Sequence, residues 1–466
     1  MTVDVAIIGG GISGLATAYL LRCQGRKVVV LERQARPGGN AQTGHFGGFL
    51  MEHGPSTVNA ASATAAEFSR ELGLDEMRCD LGKGVQQRYL VANGALSRIS
   101  AGPMGFLTSG YLSLPARLRM LAEFLLPHQL DGEDETVMAF CSRRFGREFA
   151  ERVIDPMVAG LYAGKASALS VSAVFPKLVA LEREFGSVSL GMFRRYQQGA
   201  KMPGSRLYSW RDGISTLPKA LAAELGDDLR TGIVVRHVRR GSGGFKIDAG
   251  QAGSIEARAV VLATQPHVAA RFLDDLDGAA AAAAGEIKAP PLAVVFLGFR
   301  RDQVDHPLDG LGFLTSMGEK RLLSGAQFNS TMFPGRAPEG CIAVTGYFGG
   351  ARSPELARLP EGDLIGLARQ EFGDLIGAHG EPIVERVKHW TLGLPQYEIG
   401  HLERTACLRD AEKRTLGLFV TGNYFDGPSV AACLGQTRIT AQAALDFLVD
   451  SEKPIAMGDG ENTLSG

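Results

Sequence analysis

Gly9, Gly11 and Gly14 stand at G-x-G-x-x-G spacing inside Val-Asp-Val-Ala-Ile-Ile-Gly-Gly-Gly-Ile-Ser-Gly (residues 3–14), and Glu32 closes the next apolar run. That spacing can hold a dinucleotide. The glycines permit a tight turn, close approach of backbone to a pyrophosphate, and close packing of helix on strand. The helix that begins at Ile12 and Ser13 turns its N–H groups and positive dipole end toward the phosphates. Glu32 is placed to accept hydrogen bonds from ribose hydroxyls. Its charge disfavours a 2′-phosphate, which leaves FAD or NAD rather than NADP. A second glycine pair follows in Glu32-Arg33-Gln34-Ala35-Arg36-Pro37-Gly38-Gly39. In many two-domain flavoproteins such a pair lets backbone pass close to the cofactor. A nicotinamide dehydrogenase does not need it, so FAD is favoured over NAD.

These groups require a strand, a turn, a helix and a strand in that order. Residues 3–8 read as a buried strand, 15–23 as a helix and 28–31 as the next strand. Farther on, 205–213 returns to strand and turn, and 217–225 is helical. Val234-Val235 and 245–248 read as short strands, and 260–264 as a buried parallel strand that ends at a site. The alanine run 279–284 reads as one helical surface, 418–422 as a last strand and 436–449 as a closing helix. Cofactor-type elements therefore come in three pieces. Between them lie helices at 134–145 and 147–158, separated by Gly146, and a strand-rich block from 294 to 347 followed by a helix at 364–375. This predicts a cofactor domain interrupted by helical and substrate insertions.

Composition excludes several classes. Lysine plus arginine (49) nearly balances aspartate plus glutamate (50), so no nucleic-acid surface is expected. A chain of 466 residues, 45% hydrophobic, supports two or three domains. The six cysteines form no C-x-x-C pair and read as reduced thiols of a cytoplasmic protein. The nine histidines show no metal-ligating spacing, so no metal is expected. With a cofactor strand read at residue 3, no signal peptide is expected. No segment has the ~20 consecutive apolar residues of a membrane span. The uncharged stretch 99–116 is broken by Gly102, Pro103, Gly105, Gly110 and Pro115, and Arg117-Leu-Arg-Met-Leu-Ala-Glu-Phe-Leu-Leu-Pro127 follows. That is a short amphipathic helix, which packs on its own domain or rests on a membrane surface. The polar tail from Ser451 is expected to be disordered.

Phe145-Gly-Arg-Glu-Phe-Ala-Glu-Arg-Val-Ile-Asp-Pro-Met-Val-Ala-Gly-Leu-Tyr-Ala-Gly164 is followed by Leu169-Ser170, Phe175-Pro176 and Leu181-Glu-Arg-Glu-Phe-Gly-Ser-Val-Ser-Leu-Gly191. This run resembles the helical insert of the oxygen-dependent protoporphyrinogen oxidases, a branch of the flavin amine oxidase superfamily. Gly54-Pro55-Ser56, Gln87-Arg88-Tyr89-Leu90, Met332-Phe333-Pro334, Leu394-Pro-Gln-Tyr-Glu-Ile-Gly-His401 and Thr421-Gly422-Asn423 also resemble that family. The resemblance runs from residue 3 to 449, and its middle run is more specific than the N-terminal glycines.

The resemblance implies an α/β fold. An FAD-binding Rossmann-like domain of the two-dinucleotide-binding, amine oxidase/p-hydroxybenzoate hydroxylase type would occupy 1–75, 202–275 and 405–450. A mixed-sheet substrate domain would occupy 76–90 and 276–404, and an α-helical membrane-associating insert 91–201, leaving 451–466 as tail. It implies oxidation of a porphyrinogen to a porphyrin, removing six electrons in three flavin cycles, with molecular oxygen as acceptor and peroxide released. It also implies peripheral contact with a membrane surface, and leaves a homodimer open. No acid or base is demanded, and none is named.

Position by position, the resemblance puts Arg88 against a substrate propionate, where a planar fork suits a carboxylate. It puts the Gly160 carbonyl toward pyrrole N–H groups, and Leu314 and Tyr347 around the macrocycle. Non-covalent FAD would be held by Gly9, Gly11, Ile12, Ser13, Gly14, Glu32, Arg33, Gly38, Gly39, Asn40, Gly54, Pro55, Ser56, Thr57, Val235, Trp390, Gly422, Asn423, Ser429 and Val430. Cys407 and Cys433 lie in no motif that argues for covalent flavin. Three positions depart from the family. Gln327 stands where relatives carry an aliphatic residue across the pocket from Leu314, and a buried amide costs free energy unless bonded. Ala431-Ala432 replaces an Asn-Asp pair, and Asn40 stands where Arg or Ala is common. These departures leave other readings open: coproporphyrinogen III as substrate, an amine or polyisoprenoid oxidase, or an idle porphyrin-binding flavoprotein.

Overall fold

The computed structural model describes residues 2–99, 110–127, 133–198 and 206–452. Residues 100–109 of the uncharged stretch and nearly all of the tail lie outside them.

The first sheet has the strand order Leu229–Thr231, Val28–Glu32, Thr2–Ile8, Ser254–Leu262, Gly244–Asp248, His237–Gly241, and Leu418–Val420 also pairs with Ser254–Leu262. Its central strands are parallel: Val5 sits opposite Val28 and Ala259, and Val260 opposite Leu418. The near-continuous Val/Ile/Leu runs follow from helices on both faces, because neither face meets water. Helices Ile12–Cys23, Thr216–Leu225 and Val430–Asp450 cover one face with Leu15, Leu217, Leu221 and Leu434. Pro266–Leu273, Gly278–Gly285 and His401–Arg414 cover the other with Ala269, Ala280, Ala284 and Leu408. The alanine run is thus a close-packing surface. Strands from three separate stretches of chain build this one sheet. One expected strand is absent: Val234-Val235 is irregular. Gly232 and Ile233 instead spend their N–H groups on the carbonyls of Gln34 and Glu32, a brief run beside the end of the neighbouring strand.

The second sheet has the order Val384–Trp390, Leu292–Arg300, Cys341–Gly349, Gly325–Gln327, Gly310–Leu314, Gln87–Ala92, Ala95–Ile99. Alternation gives it two faces. Val295, Leu297, Phe299, Phe313, Ala326, Val344 and Phe348 pack beneath helix Glu361–Ile376, against Leu364, Ala368 and Phe372. The opposite face, with Val294, Phe296 and Ala343, meets Phe49 and Met51. The boundary expected at residue 90 falls inside this sheet. Asn93 and Gly94, at φ 52° and 77°, form a tight hairpin turn that returns the chain as Ala95–Ile99. The start expected at 76 also moves, because Arg78–Asp80 pairs with Leu207–Trp210 in a small sheet with Val58–Asn59.

The insert has its own core of Val137, Phe140, Ile154, Val158, Leu169, Leu181 and Val188. A fully buried Arg144–Glu123 ion pair crosses it, and Glu123 also accepts from Ser187 Oγ at 2.6 Å and from the Val188 and Ser189 N–H groups. Each lone pair is used, as a buried carboxylate requires. Among the described residues no helix is long and apolar enough to cross a membrane, and no His/Cys/Asp/Glu group could hold a metal ion.

Candidate functional site

The two glycine stretches meet. Gly38 N–H donates to Gly10 O at 2.7 Å, and Gly11 and Gly38 pair as a parallel bridge. A Cβ on Gly14 would lie 1.9 Å from Gly9 O, so the first strand and helix pack only because Gly14 lacks a side chain; Gly9, at φ +108°, would with a Cβ meet Ala263 O at 2.5 Å. Gly11 differs: at φ −75°, its Cβ would approach no protein atom closer than Gly39 Cα at 3.9 Å. That space is open. The first helix has no side-chain cap and no acid in its first turn, so its leading N–H groups form a donor set suited to an anion. Glu32 is buried, and its two oxygens accept from Gly10 N–H and Gln34 N–H, each at 2.7 Å. A carboxylate accepts about four hydrogen bonds, which leaves lone pairs for a ribose diol. These residues fit a dinucleotide cofactor.

The remaining cofactor candidates sit as follows. A Cβ on Gly54 would lie 2.3 Å from Asn40 O, so Gly54 packs against Asn40, and Ser56, between Pro55 and Thr57, is buried. Ile233 N–H donates to Glu32 O, bringing Val235 near the acidic residue, whereas the Arg33 side chain is exposed. Asn423 O accepts from Tyr397 OH at 2.8 Å, just past Gly422. Ser429 caps the last helix by accepting from Ala432 N–H at 3.1 Å, and Val430 begins it. Cys433 in that helix lies against Ser13, so the two helix N-termini converge, and burial pushes its thiol pKa up to about 11. A neutral buried thiol is a poor nucleophile. Trp390 Nε1 donates to His53 O at 2.6 Å, and Lys388 Nζ stands 4.5 Å from the Trp390 ring centroid.

His53 and Lys388 are absent from the sequence-based set. Burial, then the charges of Lys388 and Arg36, push the His53 pKa down to about 4, so its ring is neutral at pH 7. Neither ring nitrogen has a partner among the described residues. The available signal was position: His53 directly precedes Gly54-Pro55-Ser56, and Lys388 is two residues before Trp390.

The second sheet brings the substrate candidates onto one face. Leu314 pairs with Gly325, Gly325 with Tyr347, and Leu90 with Leu314. In the next row Gly312 pairs with Gln327, and Gln327 with Thr345. Arg88 precedes Leu90 by two and so shares its face. Leu314 and Gln327 therefore occupy one diagonal of a four-residue patch, and two glycines, 312 and 325, occupy the other. With no side chains at 312 and 325, the patch is a shallow slot between Leu314 and Gln327, into which Leu314 Cδ2 leans, 3.0 Å from where a Gly325 Cβ would be. Gly160 of the insert rests on Leu314: its Cβ would lie 2.6 Å from Leu314 Cδ2. Gln327 Oε1 is buried without a partner among the described residues. Burial, with a smaller contribution from the Glu52 charge, holds the Tyr347 phenol well above its usual range, so it stays protonated. Arg88 is exposed at the end of the slot.

A dinucleotide cradle set against a slotted mixed sheet defines a class. The sequence profile described as flavin containing amine oxidoreductase matches residues 12–445. The chain belongs to that family and is an FAD-dependent oxidoreductase. It is 28% identical to the coproporphyrinogen III oxidase of Bacillus subtilis (strain 168), over 95% of this chain and 98% of that protein. It is likewise 28% identical to the mitochondrial protoporphyrinogen oxidase of Nicotiana tabacum, over 95% of each. The Exiguobacterium sp. 255-15 structure assigned as a protoporphyrinogen oxidase superimposes with a TM-score of 0.83 at 22% identity, covering 95% of this chain and 99% of that one. Cyclohexylamine oxidase from Brevibacterium oxydans IH-35A superimposes at 0.72 and 17% identity, covering 97% and 100%.

Proposed function

We propose that this chain oxidises protoporphyrinogen IX to protoporphyrin IX. The observation that carries the reading is the slot between Leu314 and Gln327, flanked by Gly160 and edged by Arg88, in a chain whose relatives at 28% identity are named as porphyrinogen oxidases. FAD, when bound, supplies the hydride acceptor and passes electrons to oxygen. The substrate loses six hydrogens in three two-electron steps, and three molecules of oxygen leave as hydrogen peroxide.

The protein's part is placement. The N–H groups at Gly11, Ile12 and Ser13 would hold the pyrophosphate, Glu32 the ribose, and the 38–40, 54–57, 422–423 and 429–430 segments, with Trp390, the rest of FAD. Leu314 and Tyr347 pack on the macrocycle and exclude water, the Gly160 carbonyl accepts from pyrrole N–H, and Arg88 pairs with a propionate. One observation favours a second reading. A relative at 28% identity, matched over 98% of its length, is named coproporphyrinogen III oxidase, and the amide N–H group of Gln327 would donate to a propionate that protoporphyrinogen replaces with vinyl.

Membrane contact belongs to the same proposal. Helix Leu114–Leu121 and the turn after it expose Leu114, Leu118, Leu121, Phe124 and Leu125 at 55–71%. Glu123 ties this ridge to helix Val188–Gln197, which exposes Phe193 and Tyr196. An apolar ridge of this kind suits the interface of a bilayer that holds an apolar substrate. Aerobic turnover tests the main reading: porphyrin fluorescence should rise with three peroxides per porphyrin. No porphyrin above the uncatalysed rate from either porphyrinogen would reject it.

A further inference from the structure

The insert helix Asp155–Tyr162 carries Gly160 over the slot, and both its ends are fastened to residues 350–352, directly after the strand that carries Tyr347. At its start, Arg352 Nη2 donates to Asp155 Oδ2 and Asp155 O, both at 2.7 Å, and Nη1 donates to Thr315 O at 2.6 Å. Met317 N–H also donates to Asp155 Oδ2, at 3.3 Å. At its end, Ala351 N–H donates to Ala163 O at 2.7 Å, and a Cβ on Gly350 would lie 2.4 Å from that oxygen. The Arg352 and Asp155 side chains are 8% and 5% exposed.

A charge pair this dry costs desolvation, so it is weak evidence for stability alone. Its geometry does something else. Thr315 directly follows Leu314, and Gly160 lies five residues after Asp155. One guanidinium therefore fixes the helix that forms the roof of the slot and the strand that forms its wall. We propose that Asp155 and Arg352 are positioning residues that set how the Gly160 backbone seats against Leu314, and so the fit of the substrate ring. This rests on the porphyrinogen reading. Neither side chain touches the ring. They act through Gly160 and Leu314, and their loss lets roof and wall drift apart while the FAD cradle, built on the other sheet, is untouched.

The test compares Asp155→Asn and Arg352→Lys with wild type as FAD-loaded proteins. FAD per chain should stay the same in both. KM for porphyrinogen should rise roughly tenfold or more while kcat at saturation changes little, the signature of lost binding that ground state and transition state share. Adding Leu314→Ala to either variant should then raise KM much less than it does in wild type, since the two changes act on one joint. A purely structural pair would lower the melting temperature and leave that KM-to-kcat split unmoved. Should Asp155→Asn not fold, Arg352→Lys, which keeps the charge pair, carries the test. Unchanged KM in folded, FAD-loaded Arg352→Lys overturns the positioning role. Absence of turnover in wild type instead overturns the porphyrinogen reading.

Discussion

Gly11 and Gly39 face each other across two loops that are far apart in their local folding: a Cβ on Gly39 would lie 3.1 Å from Gly11 Cα. The approach puts both glycine stretches on one surface beside the first helix N-terminus. The Cβ direction at Gly11 nonetheless points into space that no protein atom fills. Gly11→Val should therefore leave the apoprotein folded and lose FAD. Gly14→Ala, with its Cβ 1.9 Å from Gly9 O, should instead disturb strand and helix directly. The ratio of flavin absorbance to protein, read beside far-ultraviolet circular dichroism, separates the two. A Gly11→Val protein that stays fully yellow would remove the pyrophosphate from this loop.

Arg88→Ala should raise KM and leave flavin content alone, because Arg88 lies on the second sheet and outside the cradle. The side chain is exposed, so the lower end of the range for a hydrogen bond to a charged group applies, about 1.5 kcal/mol or roughly tenfold. Steady-state kinetics at several porphyrinogen concentrations check this. Unaltered KM would take the propionate away from Arg88.

Gln327→Leu separates the two porphyrinogens. If the buried amide serves a polar substituent, the variant should lose kcat/KM on coproporphyrinogen III by about 5- to 100-fold, the range for a buried polar group losing its partner. Turnover of protoporphyrinogen should hold or improve, because the amide's desolvation cost disappears. Equal effects on both substrates would show that Gln327 does not read the substituent.

Phe124→Asp should weaken binding to liposomes roughly tenfold or more, since burying one such side chain contributes ~1.5–3 kcal/mol. Cosedimentation at fixed lipid measures it. Wild-type protein that stays wholly in the supernatant would make this ridge an ordinary surface.

The cofactor unit was legible because its signal is local. Glycines, a helix start and an acid within about thirty residues each have one physical use. The three-piece first sheet was legible for a related reason: buried parallel strands read as continuous apolar runs. Val235 shows the limit. An isolated Val-Val pair satisfies strand propensity, but its neighbours bond to the edge of an existing strand and the pairing stops. The boundary expected at 90 missed the return strand to Ile99 because that strand, Ala-Leu-Ser-Arg-Ile, carries no apolar alternation. That Leu314 and Gln327 face one pocket was legible only through the family resemblance, not through their spacing. They and the glycines 312 and 325 become neighbours through strand register. Arg352 and Asp155, 197 residues apart, give no local signal of their pairing.

The central claim is that a porphyrinogen delivers hydride to the flavin of this protein. The most direct measurement is the anaerobic half-reaction: purified, FAD-loaded protein mixed with protoporphyrinogen IX or with coproporphyrinogen III, with flavin absorbance followed in time. The flavin should bleach with at least one of them, faster than the buffer control, and recover its colour when oxygen is admitted. Flavin that remains oxidised with both porphyrinogens yet bleaches with an amine would contradict the account and return the chain to the wider amine oxidoreductase family.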